Sequence, residues 1–504
     1  MKKNKLIVCF DMWGPYGPVP NCLSDKQLYN ILEEWDGNYS DYSMNTKDSF
    51  DVSTKVSITD FWNPEFIKSG VLDFSPLGQI SKNNKNFTKY SKYLKESDDE
   101  NEKINFCYLI EPYGSMNKIL YDDNFVKYMS EKAVDLISNK NGFLLINFSY
   151  EGLVDIEIFE KLHESLSSRN IPPQKVIWVY NDSNNFKTYN DWCDKRNIKK
   201  RIKVLNYQYS LWAKSKEYFK LSTNQDIKLI PDTTHKSTIV SEYEFKKSKD
   251  VIREHHFLSY NRMIREHRFL FLVGLFGLDL LGGNLVSYYF DFDLQSRTLK
   301  DYLGSHHFWL KESNVSEKQF NKKLSELFDI KSPNLWKNLG EKLIKSNKKI
   351  VDYENFKIIT GYGSENYHPY INSYFSIITE STFFEDVLYL SEKSWKGFVH
   401  YHPFIMFGRP GMLKEMRKYG FKTFSPSIDE SYDEETNSIL RYFKIMKEVK
   451  RLCQMSLNEA HDWYWKMEDI LIHNRNVVLE YGENNYDFKY KYLIKNIINS
   501  MGGK

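Results

Sequence analysis

Five short runs in the first half of the chain most constrain its fold. LIVCF ahead of Asp11, NFCYLI (105–110), FLLINF (143–148), KVIWVY (175–180) and IKVLNY (202–207) are almost wholly Val, Ile, Leu and aromatic residues, bounded by polar or turn residues. Between the third and fourth, the stretch from Asp155 to Arg169 places Ile156, Ile158, Phe159, Leu162 and Leu166 at helical spacing. Strand, helix and strand at this rhythm imply a parallel sheet with crossover helices, since parallel neighbours need a long connection.

A second α/β unit follows. FLSY (257–260) reads as a strand and Arg268 to Leu278 as an apolar helix; KIIT (357–360), YFSIIT (374–379), PFIMFG (403–408) and FKTF (421–424) are further strand candidates. Residues 30–104 are polar, with the exposed-looking run KESDDENEK, and 208–254 are lysine-rich and weakly periodic, as an interdomain connection would be. Residues 441–504 are mostly helical in pattern. The expected domains are 1–245, 246–440 and a helical segment 441–504. No repeat of fixed period occurs.

The chain of 504 residues carries a net charge of +3, with 27% charged and 41% hydrophobic residues, so it is neither a disordered chain nor a polyelectrolyte built for nucleic acid. Aromatic residues reach 16%, while Ala133, Ala213 and Ala460 are the only alanines, the bias an A/T-rich coding sequence imposes. Five scattered cysteines without a CxxC pair suit a reducing cytoplasm. The apolar run before Asp11 is too short for a signal peptide, and Phe269 to Leu278 falls short of the roughly 20 residues of a membrane span. A soluble, cytoplasmic protein without a membrane span is expected.

The segment 374–424 is the densest in chemistry. A buried strand ending at Thr379 delivers Glu380 and Ser381 to its carboxyl edge, where open α/β sheets bind ligands. Ser391 is a good N-cap for a helix carrying Glu392 and Lys393, and another helix starts at Met412. Two helix starts, with free N–H groups and partial positive charge, should therefore converge with two strand ends.

These residues resemble the donor-binding signature of α-1,3-fucosyltransferases. The match lies in Glu380-Ser381, Asp386-Val387, Ser391-Glu392-Lys393 and Trp395-Lys396, with FLSYNRMIREHR (257–268) similar to the Asn-Arg segment that opens the donor domain. The order PFIMFG, GFKTF and Ile428 to Asp433 also resembles phage and bacterial glycosyltransferase-like proteins. The chain departs from the fucosyltransferase pattern in lacking the Asn between Glu380 and Ser381 and in a longer gap before Ser391. The resemblance implies an α/β GT-B architecture: two Rossmann-like domains facing across a cleft, with C-terminal helices, the nucleotide-sugar on the C-terminal domain and the acceptor on the N-terminal one.

Transfer from a nucleoside diphosphate sugar needs the leaving diphosphate neutralised and the acceptor hydroxyl deprotonated. An Arg just past one strand and a Lys at one helix start, Arg262 and Lys393, can converge on the diphosphate, making a metal or other cofactor unnecessary. Asn261 belongs to the same donor segment. By the resemblance, Glu392 contacts the ribose or the sugar, and Glu380-Ser381 the donor hydroxyls. The base is expected after a strand of the first half: Glu151 first, then Glu111 and Asp11. Trp13, Tyr16 and Trp395 are candidate platforms for sugar or base rings.

The expected activity is a metal-independent hexosyl- or pentosyltransferase acting on a glycan. Other readings are a phage enzyme that glycosylates a hydroxymethylated pyrimidine in DNA, a non-catalytic sugar-nucleotide-binding protein, and a metal-dependent GT-A enzyme using the triplet Asp291-Phe292-Asp293. Arg262, Arg265 and Arg268 also read as a charged helix face, and Glu392-Lys393 as a solvated first turn. The histidine pairs His255-His256 and His306-His307 and the His400/His402 step lack a partner cluster at metal-ligand spacing. GYGSENY (361–367) is no dinucleotide fingerprint.

Overall fold

The computed structural model describes residues 6–9, 13–14, 17–18, 72–75, 106–110, 126, 131–140, 142–148, 157–182, 184–223, 239–261, 265–288, 303–304, 306–332, 334–345, 367–384 and 387–501. The chain divides into two compact units, Met1–Tyr209 with Asp487–Lys504, and Ser210–Tyr486.

In the first unit, six parallel strands form one sheet: β1 (Leu6–Cys9), β4 (Leu72–Ser75), β5 (Phe106–Ile110), β6 (Gly142–Phe148), β7 (Val176–Tyr180) and β8 (Lys203–Asn206), in the order β4-β1-β5-β6-β7-β8. A small antiparallel pair, β2 (Trp13–Gly14) and β3 (Gly17–Pro18), lies in the GPYGPVP turn region. The five apolar runs become β1, β5, β6, β7 and β8, whereas β4 comes from the polar stretch LDFS and carries no comparable signal. Helices α1 (Glu131–Asn139), α2 (Glu157–Ser168) and α3 (Asn185–Lys195) are the crossovers. Helix α2 buries Ile158, Phe159, Leu162 and Leu166, the face its spacing predicts.

The second unit opens with α4 (Tyr209–Ser222) and α5 (Glu242–Lys247), so parts of the lysine-rich stretch form helices where a connection was expected. Leu211, Tyr218 and Phe245 are buried, and Ser241 and Glu244 close a capping box on α5. Its sheet is β9 (His255–Asn261), β10 (Leu285–Tyr288), β11 (Ser373–Thr379) and β12 (Phe404–Phe407), parallel throughout and ordered β10-β9-β11-β12. Every residue of β11 and β12 is buried; β12 is wholly apolar, and the polar residues of β11, Ser373, Ser376 and Thr379, bond Pro369 O, His402 and Asn261. Helices α6 (Glu266–Gly277), α7 (His306–Glu312), α8 (Glu317–Phe328), α9 (Leu335–Lys345), α10 (His368–Ile371), α11 (Lys393–Val399) and α12 (Met412–Lys418) surround it in sequence. The C-terminal helices α13 (Ser438–Cys453), α14 (Leu457–Trp465) and α15 (Glu468–Ser500) follow, as their pattern requires.

Two expectations are corrected here. FKTF is not a strand: its backbone is satisfied by side chains, Lys422 N–H donating to Asn474 Oδ1 (2.8 Å), Lys422 O accepting from Asn474 Nδ2 (2.8 Å) and Phe424 N–H donating to Glu430. Phe421 and Phe424 are buried all the same, Phe421 stacking on Phe398 at 4.3 Å. Trp395 is no ring platform, because it is 0% exposed and its Nε1–H donates to Ser210 Oγ (3.2 Å). Phe375, Phe404 and Phe407 are core residues as well. The strand candidate KIIT, together with Trp13's side chain and Tyr16, lies outside the described residues.

No described helix is long and apolar enough to cross a membrane. Helices α4 and α15 approach at backbone distance: a Cβ on Gly482 would collide with Ser215 O and stand 2.6 Å from Phe219 Cβ. Gly482→Ala should therefore push the helices apart and cost about 1–3 kcal/mol, read as a lower midpoint with unchanged slope in denaturant unfolding.

Candidate functional site

The carboxyl edge of the second sheet gathers the residues of interest. Asn261 ends β9 and is fully buried; its Oδ1 accepts from Thr379 Oγ1 (2.8 Å) and its Nδ2 donates to Ser259 Oγ (3.1 Å), bracing β9 against the end of β11. Arg265, His267 and Arg268, at the start of α6, bond the last residue of β11 and the two that follow it. Arg265 donates to Ser381 O (2.7 Å), His267 Nε2 to Glu380 O (2.8 Å), and Arg268 to Thr379 O (3.2 Å) and Glu380 O (3.4 Å).

Glu380 is 0% exposed, and both its carboxylate oxygens accept from the protein. Oε2 takes Ser381 N–H (3.0 Å); Oε1 takes Ser391 N–H (3.2 Å) and the Ser394 hydroxyl. Helix α11 begins at Lys393 with Glu392 as its N-cap, one residue later than a Ser391 cap implies. Ser391 Oγ still accepts from Lys393 N–H (3.3 Å), as a capping serine would, and from its Nζ (3.2 Å).

Lys393 Nζ also meets Glu392 Oε1 at 3.0 Å, with the side chains 30% and 22% exposed. Burial pushes the Glu392 carboxyl up, but Lys393 and Lys396 outweigh it and hold it down at about 2. Burial is also the largest influence on Arg268, followed by repulsion from Arg265; Glu380 and Glu392 oppose both, and its value falls to about 10. That still leaves it charged at neutral pH. His267 is held well below the usual histidine range by burial, then by Arg268, so it is neutral and its Nε2 carries the proton that Glu380 O accepts.

The predicted donor residues Asn261, Glu380, Ser381, Glu392 and Lys393 thus share one edge of one sheet. Arg262, Glu151, Glu111 and Asp11 lie outside the described residues, as do Asp386 and the Asp291-Phe292-Asp293 triplet. Sequence reasoning missed His267 and Ser394 and took Arg268 for part of a charged helix face. Arg268 is 4% exposed, its charge directed at backbone carbonyls of the β11 end. Its position three residues after Arg265, beside a histidine at a helix start, is the available signal.

The second expected anion-binding helix start is already filled. At α12 the Asp433 carboxylate accepts from Leu413 N–H (3.1 Å) and Lys414 N–H (3.0 Å), while Asp433 O accepts from Gly411 N–H (2.8 Å). An internal carboxylate satisfies the donors that a ligand would need. The histidines also have protein partners: His255 meets Gly283 O (2.8 Å), His256 meets Met455 O (2.8 Å), His402 lies between Ser376 Oγ (2.6 Å) and Ser373 O (2.7 Å), and His400 stacks on Tyr370 at 3.9 Å. Among the described residues no group of three His, Cys, Asp or Glu is placed to hold a metal ion.

No family model matches the chain, and no curated protein matches it. Among solved structures it is similar to α,α-trehalose 6-phosphate synthase from Burkholderia multivorans, at 9% identity over 99% of this chain and 98% of that one, with a TM-score of 0.36. A structure described as trehalose-6-phosphate from E. coli bound with UDP-2-fluoro glucose matches at 10% identity, 97% and 98% coverage and a TM-score of 0.36. The apo UGT2 of Phytolacca americana matches at 9% identity, 99% coverage of both chains and a TM-score of 0.27. TM-scores of this size lend nothing to the site, whose reading rests on the residues above.

Acid should destabilise the protein through its buried neutral histidines. The folded values of His267 and His402 lie well below 6.5, so the stability they contribute is complete above pH 6.5 and is lost as pH falls below it. The melting temperature is expected to drop between pH 7 and 5. His267→Gln, which keeps an N–H donor for Glu380 O, should flatten that drop.

Proposed function

We propose that the protein is a nucleotide-sugar-dependent glycosyltransferase of the GT-B type, with the donor on the second unit and the acceptor on the first. One observation carries the reading: Asn261, Arg265, Arg268, Glu380-Ser381 and Glu392-Lys393 converge at the carboxyl edge of a parallel sheet. Helix α6 adds to this, since its N-cap is Arg265, whose side chain makes no cap bond. Cations at the positive end of a helix are unfavourable for the free chain and favourable once an anion is bound. The same segments carry the resemblance to α-1,3-fucosyltransferases.

In this reading Lys393 and Arg262 meet the diphosphate, and Glu392 takes the ribose or sugar hydroxyls. Departure of the nucleoside diphosphate places negative charge on its leaving oxygen, which these cations stabilise. A carboxylate of the first unit, Glu151 before Glu111 and Asp11, removes the acceptor hydroxyl proton as that oxygen bonds to the anomeric carbon. The acceptor is a glycan hydroxyl, with a hydroxymethylated base in DNA as the other acceptor of the same chemistry.

Calorimetric titration of the full chain with UDP, GDP and their hexose and pentose conjugates tests the donor side. At least one conjugate should bind, and Lys393→Ala and Arg262→Ala should each weaken it about 10-fold or more, the worth of a charge-assisted hydrogen bond. Binding that is equal in both variants, or absent throughout, overturns the reading. Glu151→Gln should leave donor binding intact and slow transfer by about 100-fold or more. Transfer that stops in strong chelator would instead point to the Asp291-Phe292-Asp293 triplet.

A further inference from the structure

We propose that Glu380 is a positioning residue, which folds the segment bearing Lys393 onto the end of β11 and makes no contact with the donor itself. A carboxylate can accept about four hydrogen bonds. Three are taken within the protein, by Ser381 N–H, Ser391 N–H and the Ser394 hydroxyl, and the residue has no exposed surface. Two of these donors, Ser391 and Ser394, flank Lys393, and both bond Oε1. Ser391 Oγ then accepts from the backbone N–H and the ammonium of Lys393, completing a chain from the buried carboxylate to the cation.

On its other side, the Glu380 carbonyl accepts from His267 and Arg268. One residue therefore joins the neutral His267 and the Arg268 cation of α6 to the cation of α11, its backbone serving one side and its side chain the other. Glutamine would keep the size, but its amide nitrogen must face an N–H or hydroxyl donor. Aspartate would keep the charge but fall one methylene short of Ser391. Both changes loosen the same turn.

The assignment of a ligand to Lys393 rests on the nucleotide-sugar reading; the folding of the turn does not. Two measurements on the full chain separate them. Amide hydrogen exchange at Ser391 and Lys393 should speed up about 10-fold in Glu380→Gln and Glu380→Asp, and about 3-fold in the milder Ser394→Ala, which removes one hydroxyl and leaves the carboxylate in place. Titration should show a nucleoside diphosphate and its sugar conjugate weakened by the same factor in Glu380→Gln, on the order of 10-fold. In a Lys393→Ala background, Glu380→Gln should weaken neither further, as expected of a residue acting through Lys393.

Unchanged exchange at Ser391 overturns the proposal, as does a loss confined to the sugar conjugate, which would mean that the carboxylate touches the sugar. Additive effects of Glu380→Gln and Lys393→Ala overturn it too. If the wild-type chain binds no nucleotide, the nucleotide-sugar reading fails alone, and the exchange rates still decide whether Glu380 holds the turn. If the Glu380 variants do not fold, Ser394→Ala gives the same comparisons.

Discussion

The organisation of the candidate site depends on a single buried carboxylate. Removing Glu380 from water is costly, and such a charge persists only where hydrogen bonds replace its hydration. Here the replacement comes from two backbone N–H groups and a serine hydroxyl, drawn from the adjacent Ser381 and from Ser391 and Ser394, eleven and fourteen residues beyond Glu380. Desolvation makes each bond more valuable and a missing one more expensive. The turn before α11 accordingly has little freedom, and Lys393 leaves it in a defined direction.

A second carboxylate shows the same physics with the opposite consequence. Asp433 satisfies the first N–H groups of α12, and burial raises its proton affinity while those N–H groups oppose the rise. One helix start is closed by the protein's own anion. At α6 the N-cap is Arg265, whose own side chain makes no cap bond, and the first turn carries Glu266 and the buried Arg268. The two helix starts, each following a strand of the same sheet, thus carry different charges at one sheet edge.

Much of the scaffold was legible because parallel strands buried on both faces are predominantly apolar. KVIWVY and YFSIIT could hardly be anything else. FKTF carried the same local signal and became irregular chain, because its hydrogen-bond partners are the Asn474 and Glu430 side chains, the former fifty-two positions away. The aromatic excess was legible as bias, and the structure puts it into core stacks such as Phe398 on Phe421 and Phe383 on Phe407. Trp395, which local context offered as a platform, belongs with them. Arg268 was misread for a related reason: a charged residue in a helix is ordinarily solvated, and only the carbonyls at the end of β11 show why this one is not.

The sequence by itself determined the α/β class, most strands of the two parallel sheets, the C-terminal helices and the stretch in which Glu380, Ser381, Glu392 and Lys393 gather at one sheet edge. These follow from periodicity, burial pattern and strand-end position, all local properties of the chain. The tertiary structure alone decided which charges face inward and which remain available. Glu380 and Arg268 are committed to the protein, the start of α12 is closed by Asp433, and Lys393 stands part-exposed beside Glu392. That division depends on which distant donors reach each carboxylate, and no local pattern encodes it.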